Sequence, residues 1–226
     1  MATQTPNARA EARRKEKEAQ RRAESQRQRL IYGGVGLVVL LIIVVVAVVT
    51  VGETDDRVRL SEIAGSPQIE GDALPPIPEG GEDPALGMSA PVIEGADFDG
   101  NPITVGDGAQ VVSFVASWCP ACDAELPEVV AWQEAGGPPE GVDLVLVSTN
   151  MDDSRQNWPP QEWLANAGYT GEVLVDDVNS SSFQTYGLQA TPSWVVISEE
   201  GEVVFRASGM IDPEQFDQLG QLAATG

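Results

Sequence analysis

Val111-Val112-Ser113-Phe114-Val115-Ala116-Ser117-Trp118-Cys119-Pro120-Ala121-Cys122 is the stretch on which the reading of this 226-residue chain turns. It begins as an apolar run of strand length, interrupted only by Ser113, the pattern of a strand covered on both faces. It ends on the only two cysteines of the chain, three positions apart. Pro120 suits the first position of a helix, where its missing N–H has no partner to lose. Cys119 then falls at a helix N-terminus, where unpaired N–H groups and the helix dipole favour a thiolate. Cys122 lies one turn further on, within reach to close or resolve a disulfide. That is a dithiol suited to disulfide exchange.

Blander readings of the pair fit less well. A purely structural disulfide across three residues closes a tiny loop and restrains the unfolded chain little. A zinc site needs four ligands, and the chain has no further Cys and no His. A metal shared between two chains is the remaining metal reading. The absence of His also removes any imidazole acid, base or ligand.

Outward from the dithiol the signals are those of an α/β domain beginning near residue 88. Asp99-Gly100-Asn101 is a turn, followed by a short strand over 103–105. The spacing predicts a strand over 111–116 and a helix from Pro120 to about Glu134, with Leu126, Val129, Val130 and Trp132 among its apolar positions. Next come a strand over 142–148, a helix over 159–167, a strand over 173–175 and a short helix over 181–186. Strands over 193–198 and 202–207 form a hairpin across Glu199-Glu200-Gly201. Asp212 caps a last helix to about Ala224, with Phe216, Leu219 and Leu222 on one face. Strands alternating with helices, then a hairpin and a helix, predict a mixed sheet with an antiparallel edge.

Toward the N-terminus the composition changes twice. Residues 1–29 carry nine basic and four acidic side chains, residues 30–51 carry none, and residues 52–226 carry four basic and thirty-one acidic. The uncharged run would span roughly 33 Å as a helix, enough to cross a hydrocarbon core of about 30 Å. A cleaved leader would want a shorter apolar stretch and a small-x-small site, and Val49-Thr50-Val51-Gly52-Glu53 offers none. The expectation is a single-span anchor over 30–51 in contact with the lipid bilayer. Nine basic residues precede the span, and only Arg57 and Arg59 follow it closely. The positive-inside rule then puts 1–29 in the cytoplasm and the domain outside, on the face of the cell membrane where disulfides persist. The basic segment has no interleaved aromatics, so it reads as a solvated helix or tail and not as a nucleic-acid arm. Residues 52–87, rich in Gly, Pro, Asp and Glu, read as an extended spacer with little apolar periodicity, with packing of part of it on the domain surface left open. The acidic surplus of the domain serves solubility.

Taken together these residues resemble the thioredoxin fold, and in particular the membrane-anchored TlpA/ResA-like branch of thiol-disulfide oxidoreductases. The resemblance covers about 88–224. It rests on Ala90-Pro91, Phe98-Asp99-Gly100, the strand with Trp118-Cys119-Pro120-Ala121-Cys122, Glu125-Leu126-Pro127, Val145-Leu146-Val147-Ser148 and Tyr186-Gly187-Leu188-Gln189-Ala190-Thr191-Pro192-Ser193-Trp194-Val195. It implies Cys119 as nucleophile, Cys122 as resolving thiol and a cis Thr191-Pro192 bond beside them. Trp118, Thr191 and Pro192 would then form the surface that receives a client. It implies a tuning role for Glu125, which on a helix shares a face with Cys122, and a helix-bending role for Pro127. It also implies client proteins with thiols or disulfides, a membrane redox partner, and no cofactor beyond the Cys119–Cys122 disulfide itself. Two positions depart from thioredoxins at large. Ser113 stands where they carry a buried Asp, and Pro120-Ala121 replaces the usual pair between the cysteines.

Two other readings compete. A peroxiredoxin-like peroxidase shares the Ala90-Pro91 entry, but its reactive Cys follows a Thr by three positions, where this chain has Ala116. A non-catalytic adaptor would use the same surface without needing the thiols.

Overall fold

Every residue of the strand Gln110–Val115 is buried, because both of its faces are covered. Val111 and Val115 pack into one core and Val112 and Phe114 into the other, following the alternation of side chains along a strand. The computed structural model describes residues 59–78 and 80–226. In chain order the elements are α1 (Leu60–Ile63), β1 (Gln68–Glu70), β2 (Val92–Ala96), β3 (Pro102–Val105), β4 (Gln110–Val115), α2 (Pro120–Glu134), β5 (Asp143–Ser148) and α3 (Pro160–Asn166). They continue with β6 (Glu172–Val175), α4 (Ser181–Thr185), β7 (Ser193–Ile197), β8 (Val203–Ser208), a 3-10 turn over Pro213–Gln215 and α5 (Phe216–Thr225).

The larger sheet has the order β6-β5-β4-β7-β8. β4, β5 and β6 run parallel, while β7 and β8 run antiparallel. This is the mixed sheet with an antiparallel edge expected from the strand and helix pattern. Helices α2 and α5 cover one face, where Leu126, Val129, Phe216 and Leu219 meet Val111, Leu146 and Trp194. The other face packs Phe114, Val145, Leu174 and Val195 against Ile93, Val105, Phe183 and Tyr186. A smaller antiparallel sheet, β1-β2-β3, contributes Ile93 and Val105 to that second core.

The structure settles one open alternative and departs from expectation at two places. First, part of the stretch read as a spacer, 52–87, does pack on the domain, from residue 59 onward. β1 pairs with β2, Leu74 and Ala85 are buried, and Leu74 N–H donates to Thr185 O at 2.8 Å. The Arg206 guanidinium fastens this segment. It donates to Asp83, to Pro75 O at 3.0 Å and to Tyr186 O at 2.7 Å. Gly187 lets the segment approach: its φ is +67°, and a Cβ there would lie 2.4 Å from Pro75 O. Partners so distant in sequence leave no periodic trace in a composition-biased stretch. Second, β2 is a strand that the sequence pattern did not predict, since Glu94-Gly95-Ala96 dilutes its apolar character. Third, Leu222 is 40% exposed, and Ala223 instead lines the core with Phe216 and Leu219. At 100° per residue, positions 216, 219 and 223 share a stripe that 222 misses.

The expected span over 30–51 and the basic segment over 1–29 lie outside the described residues. Among the described residues, no helix is long and apolar enough to cross a membrane.

Candidate active site

The sheet register brings the site together. β4 delivers Ser117, Trp118 and Cys119 at its C-terminal end, and β7 runs antiparallel beside it with Ser193 opposite Phe114. The residue just before β7 is Pro192, so the loop holding it lies next to the end of β4. Thr191-Pro192 is a cis bond. The thiol of Cys119 donates to Thr191 O at 3.2 Å, joining residues 72 positions apart.

Cys119 is the N-cap of α2, with φ −79° and ψ 121°, and Pro120 opens the helix. Its environment favours the thiolate. Burial works against ionisation, yet it is outweighed by the Cys122 N–H, the Thr191 side chain, the Cys122 thiol and the Ala121 N–H. The Thr191 carbonyl holds the proton of the thiol form, but the net direction for Cys119 is downward. Cys122 goes the opposite way. Burial pushes it up to about 12, and although the Ala116 backbone opposes the rise, the neighbouring Cys119 adds to it. Exposure agrees with this division: Cys119 is 8% exposed and Cys122 2%. Both are free thiols. The pair therefore contains one acidified sulfur, the less deeply buried of the two, and one occluded sulfur that stays protonated.

Glu125 is 2% exposed on the same face of α2 as Cys122. It does not hydrogen-bond to either thiol. Its carboxylate takes Trp194 Nε1–H on both oxygens at 3.2 Å and Ile211 N–H at 2.6 Å. Burial raises its pKa to about 7, with the Ile211 and Trp194 donors holding it from rising further. Ser113 is fully buried across from Trp194, and its hydroxyl has no hydrogen-bond partner. Pro127 is carried inside α2, which continues to Glu134.

Trp118 is half-buried, held by groups that its sequence neighbours do not reveal. Its Nε1–H donates to Asn150 O at 2.6 Å, and Asn150 has a left-handed φ of 46°. The buried Asp176 fixes that loop by accepting from Thr149 Oγ1 at 2.7 Å while its other contacts cap α4. The Arg155 guanidinium lies 4.2 Å over the Trp118 ring and pairs with Asp152 at 3.1 Å. Asn157 Nδ2 donates to Ser117 O at 3.0 Å, and Gln156 Nε2 to Trp118 O at 3.3 Å. Loop 150–157 thus buttresses the backbone leading to Cys119.

The structure brings Cys119, Cys122, Trp118, Thr191 and Pro192 together at one end of the sheet. Glu125 lies below the dithiol in the core. Asn150, Arg155, Trp194 and Ile211 are the site neighbours to which sequence reading assigned no role; Trp194 stood inside the quoted Thr191-Pro192-Ser193-Trp194 stretch. Among the described residues, no three or more His, Cys, Asp or Glu side chains converge as a metal site.

The chain is similar to sporulation thiol-disulfide oxidoreductase A of Bacillus subtilis (strain 168), 28% identical over 123 residues, covering 54% of this chain and 73% of that protein. It is also similar to a thioredoxin-family thiol:disulfide interchange protein from Chlorobium tepidum TLS, with 25% identity, a TM-score of 0.50, and coverage of 60% of this chain and 94% of that one. In fold it matches the thioredoxin domain of a thiol-disulfide oxidoreductase from Bacteroides vulgatus, at 17% identity and a TM-score of 0.51, over 62% of this chain and 99% of that domain. The Redoxin family model matches residues 85–222, from the segment ahead of β2 into the final helix, and the chain belongs to the Redoxin family.

Proposed function

We propose that this chain is a thiol-disulfide oxidoreductase that exchanges disulfides with client proteins through Cys119 and Cys122. The observation that carries this reading is the split between the two sulfurs at the N-terminus of α2. Cys119 is acidified and touches Thr191 beside cis Pro192, and Cys122 is occluded and protonated.

In the reductive direction the Cys119 thiolate attacks one sulfur of a client disulfide. The client S–S bond breaks, a mixed disulfide to Cys119 forms, and the departing client thiolate takes a proton. Cys122 then loses its proton and attacks Cys119 Sγ. The mixed disulfide breaks, the second client thiol leaves, and the enzyme carries a Cys119–Cys122 disulfide. Two electrons pass to the client. Run backward, the same steps oxidise a client dithiol. Glu125, buried on the Cys122 face and titrating about neutrality, is suited to receive the Cys122 proton. Trp118 and the Thr191-Pro192 loop would present the client's extended backbone to Cys119.

The chain is further proposed to work outside the cytoplasm as a member of the membrane-anchored TlpA/ResA-like branch. The uncharged run 30–51 between a basic segment and an acidic domain supports this placement. A membrane redox partner would reset the dithiol, with no cofactor needed.

Substitution of the two sulfurs tests the roles. Cys122→Ser is expected to accumulate mixed disulfides with clients on non-reducing gels, and Cys119→Ser to accumulate none. If the two variants behave alike, the assignment is wrong. Accessibility of the domain to added protease in sealed right-side-out vesicles tests the topology.

A further inference from the structure

Glu125 is held by donors alone. Its two oxygens share the indole N–H of Trp194 at 3.2 Å each, and Oε1 also takes the Ile211 N–H at 2.6 Å. Neither donor can accept a carboxyl proton, so the cradle matches the charged form of the side chain. Trp194 is itself immobilised. It is fully buried on β7, two residues past Pro192 and opposite Ser113, and its ring packs 5.3 Å from that of Phe216 on α5. The second donor belongs to a loop that also touches the cis-proline: Gly209 N–H donates to Pro192 O at 2.8 Å, two residues before Ile211. Met210, between them, is 52% exposed.

Building on the dithiol reading above, we propose that Trp194 is a positioning residue for the exchange reaction: with the Ile211 amide it clamps the Glu125 carboxylate on the Cys122 face of α2 and ties its charge to the Gly209–Ile211 loop bordering Pro192. Ser113 sharpens the case. On β4, opposite Trp194, the buried Ser113 hydroxyl has no partner, so the carboxylate in this part of the core arrives from α2 and is steered by an indole from the neighbouring strand. The titratable groups around Glu125 are few. Cys119 and Cys122 share its helix. Asp212 precedes the 3-10 turn and Glu214 lies within it, both at exposed positions, with Asp212 engaged in capping Glu214 N–H. Asp217 at the start of α5 is engaged by Trp132 Nε1. Of the described cations, Arg155 pairs with Asp152 and Arg206 with Asp83.

The test uses the full chain, reduced, with carboxyl-¹³C glutamate and ¹⁵N-indole labels. In the wild-type protein the Trp194 indole resonance should titrate with the same midpoint as the Glu125 carboxyl. Trp194→Phe, which keeps an aromatic ring and deletes the donor, should raise the Glu125 midpoint by about one pH unit. The Glu125-linked inflection in thiol alkylation should move with it. In the Glu125→Gln background that inflection should vanish, and adding Trp194→Phe should change nothing further. Should Trp194→Phe not fold, benzothienylalanine placed at position 194 retains the bicyclic shape without the N–H and serves the same purpose. A midpoint unmoved in a folded variant, or an equal effect of Trp194→Phe with and without the carboxylate, overturns the proposal. Failure of the wild-type chain to exchange disulfides with insulin would instead overturn the functional reading, and the NMR titration is independent of that outcome.

Discussion

Glu125→Gln should change how stability depends on pH more than it changes stability itself. In the folded chain, burial raises the Glu125 pKa to about 7 from an ordinary value of 4.5. Between those values the folded chain keeps a proton that the unfolded chain has released. The contribution of Glu125 is therefore full below about 4.5 and is lost as pH rises through about 7. A shift of that size amounts to about 3 kcal/mol across the interval, at 1.36 kcal/mol per unit. Glutamine cannot ionise and so should not show this loss. Its amide brings N–H groups toward donors that accept nothing, at a cost of about 1 kcal/mol that does not vary with pH. The assay is urea denaturation of the reduced protein, followed by tryptophan fluorescence at pH 5 and pH 8.5. That window stays well below the Cys122 titration at about 12. The wild-type protein should lose about 2.5 kcal/mol more than the variant between the two conditions, because part of the shift is already lost at pH 5. At pH 5 the variant should be slightly the weaker, and at pH 8.5 the stronger. Parallel stability profiles for the two proteins would refute the reasoning, since they would mean that the buried carboxylate titrates where a solvated one does.

Alkylation with iodoacetamide at pH 7, read by mass spectrometry on the reduced chain, should modify Cys119 before Cys122. The difference in thiolate fraction corresponds to at least about a thousandfold, and comparable rates would contradict the split. Arg206→Met should destabilise the domain by about 3 kcal/mol or more, because it strands Asp83, Pro75 O and Tyr186 O. Denaturation gives the loss, and proteolysis should newly cut within 75–85; a loss below about 1 kcal/mol would refute the anchoring role. Ser113→Ala removes a buried hydroxyl that has no partner, so stability should hold or rise by up to about 1 kcal/mol. A clear fall in melting temperature would show that the hydroxyl makes a bond after all.

Much of the domain was legible because its signals are local. The run Val111–Ala116 needs both faces covered, and β4 is buried along its whole length. Pro120 marks a helix start, and α2 runs from Pro120 to Glu134 as its pattern predicted. Expectation failed where structure depends on distant partners. β1 and the wrapped segment around Leu74 and Ala85 are held by β2, Thr185 and Arg206, none of them near in sequence. Leu222 misled because apolar identity stood in for angular position.

The sequence by itself determined the chemistry on offer: two thiols at a strand-to-helix junction, no imidazole, and a carboxylate one turn past the second thiol. Helix geometry is a short-range property, so spacing alone places these groups relative to one another. Only the tertiary structure decided what surrounds them. The antiparallel register of β7 against β4 sets Thr191 on Cys119 and Trp194 over Ser113, and the loop after β8 carries the Ile211 amide to Glu125. Burial, together with the amides at the start of α2, separates the two thiols in acidity, and the long-range Trp194 and Ile211 donors hold a carboxylate in the core; that burial and those two donors are not encoded within a few residues of the dithiol.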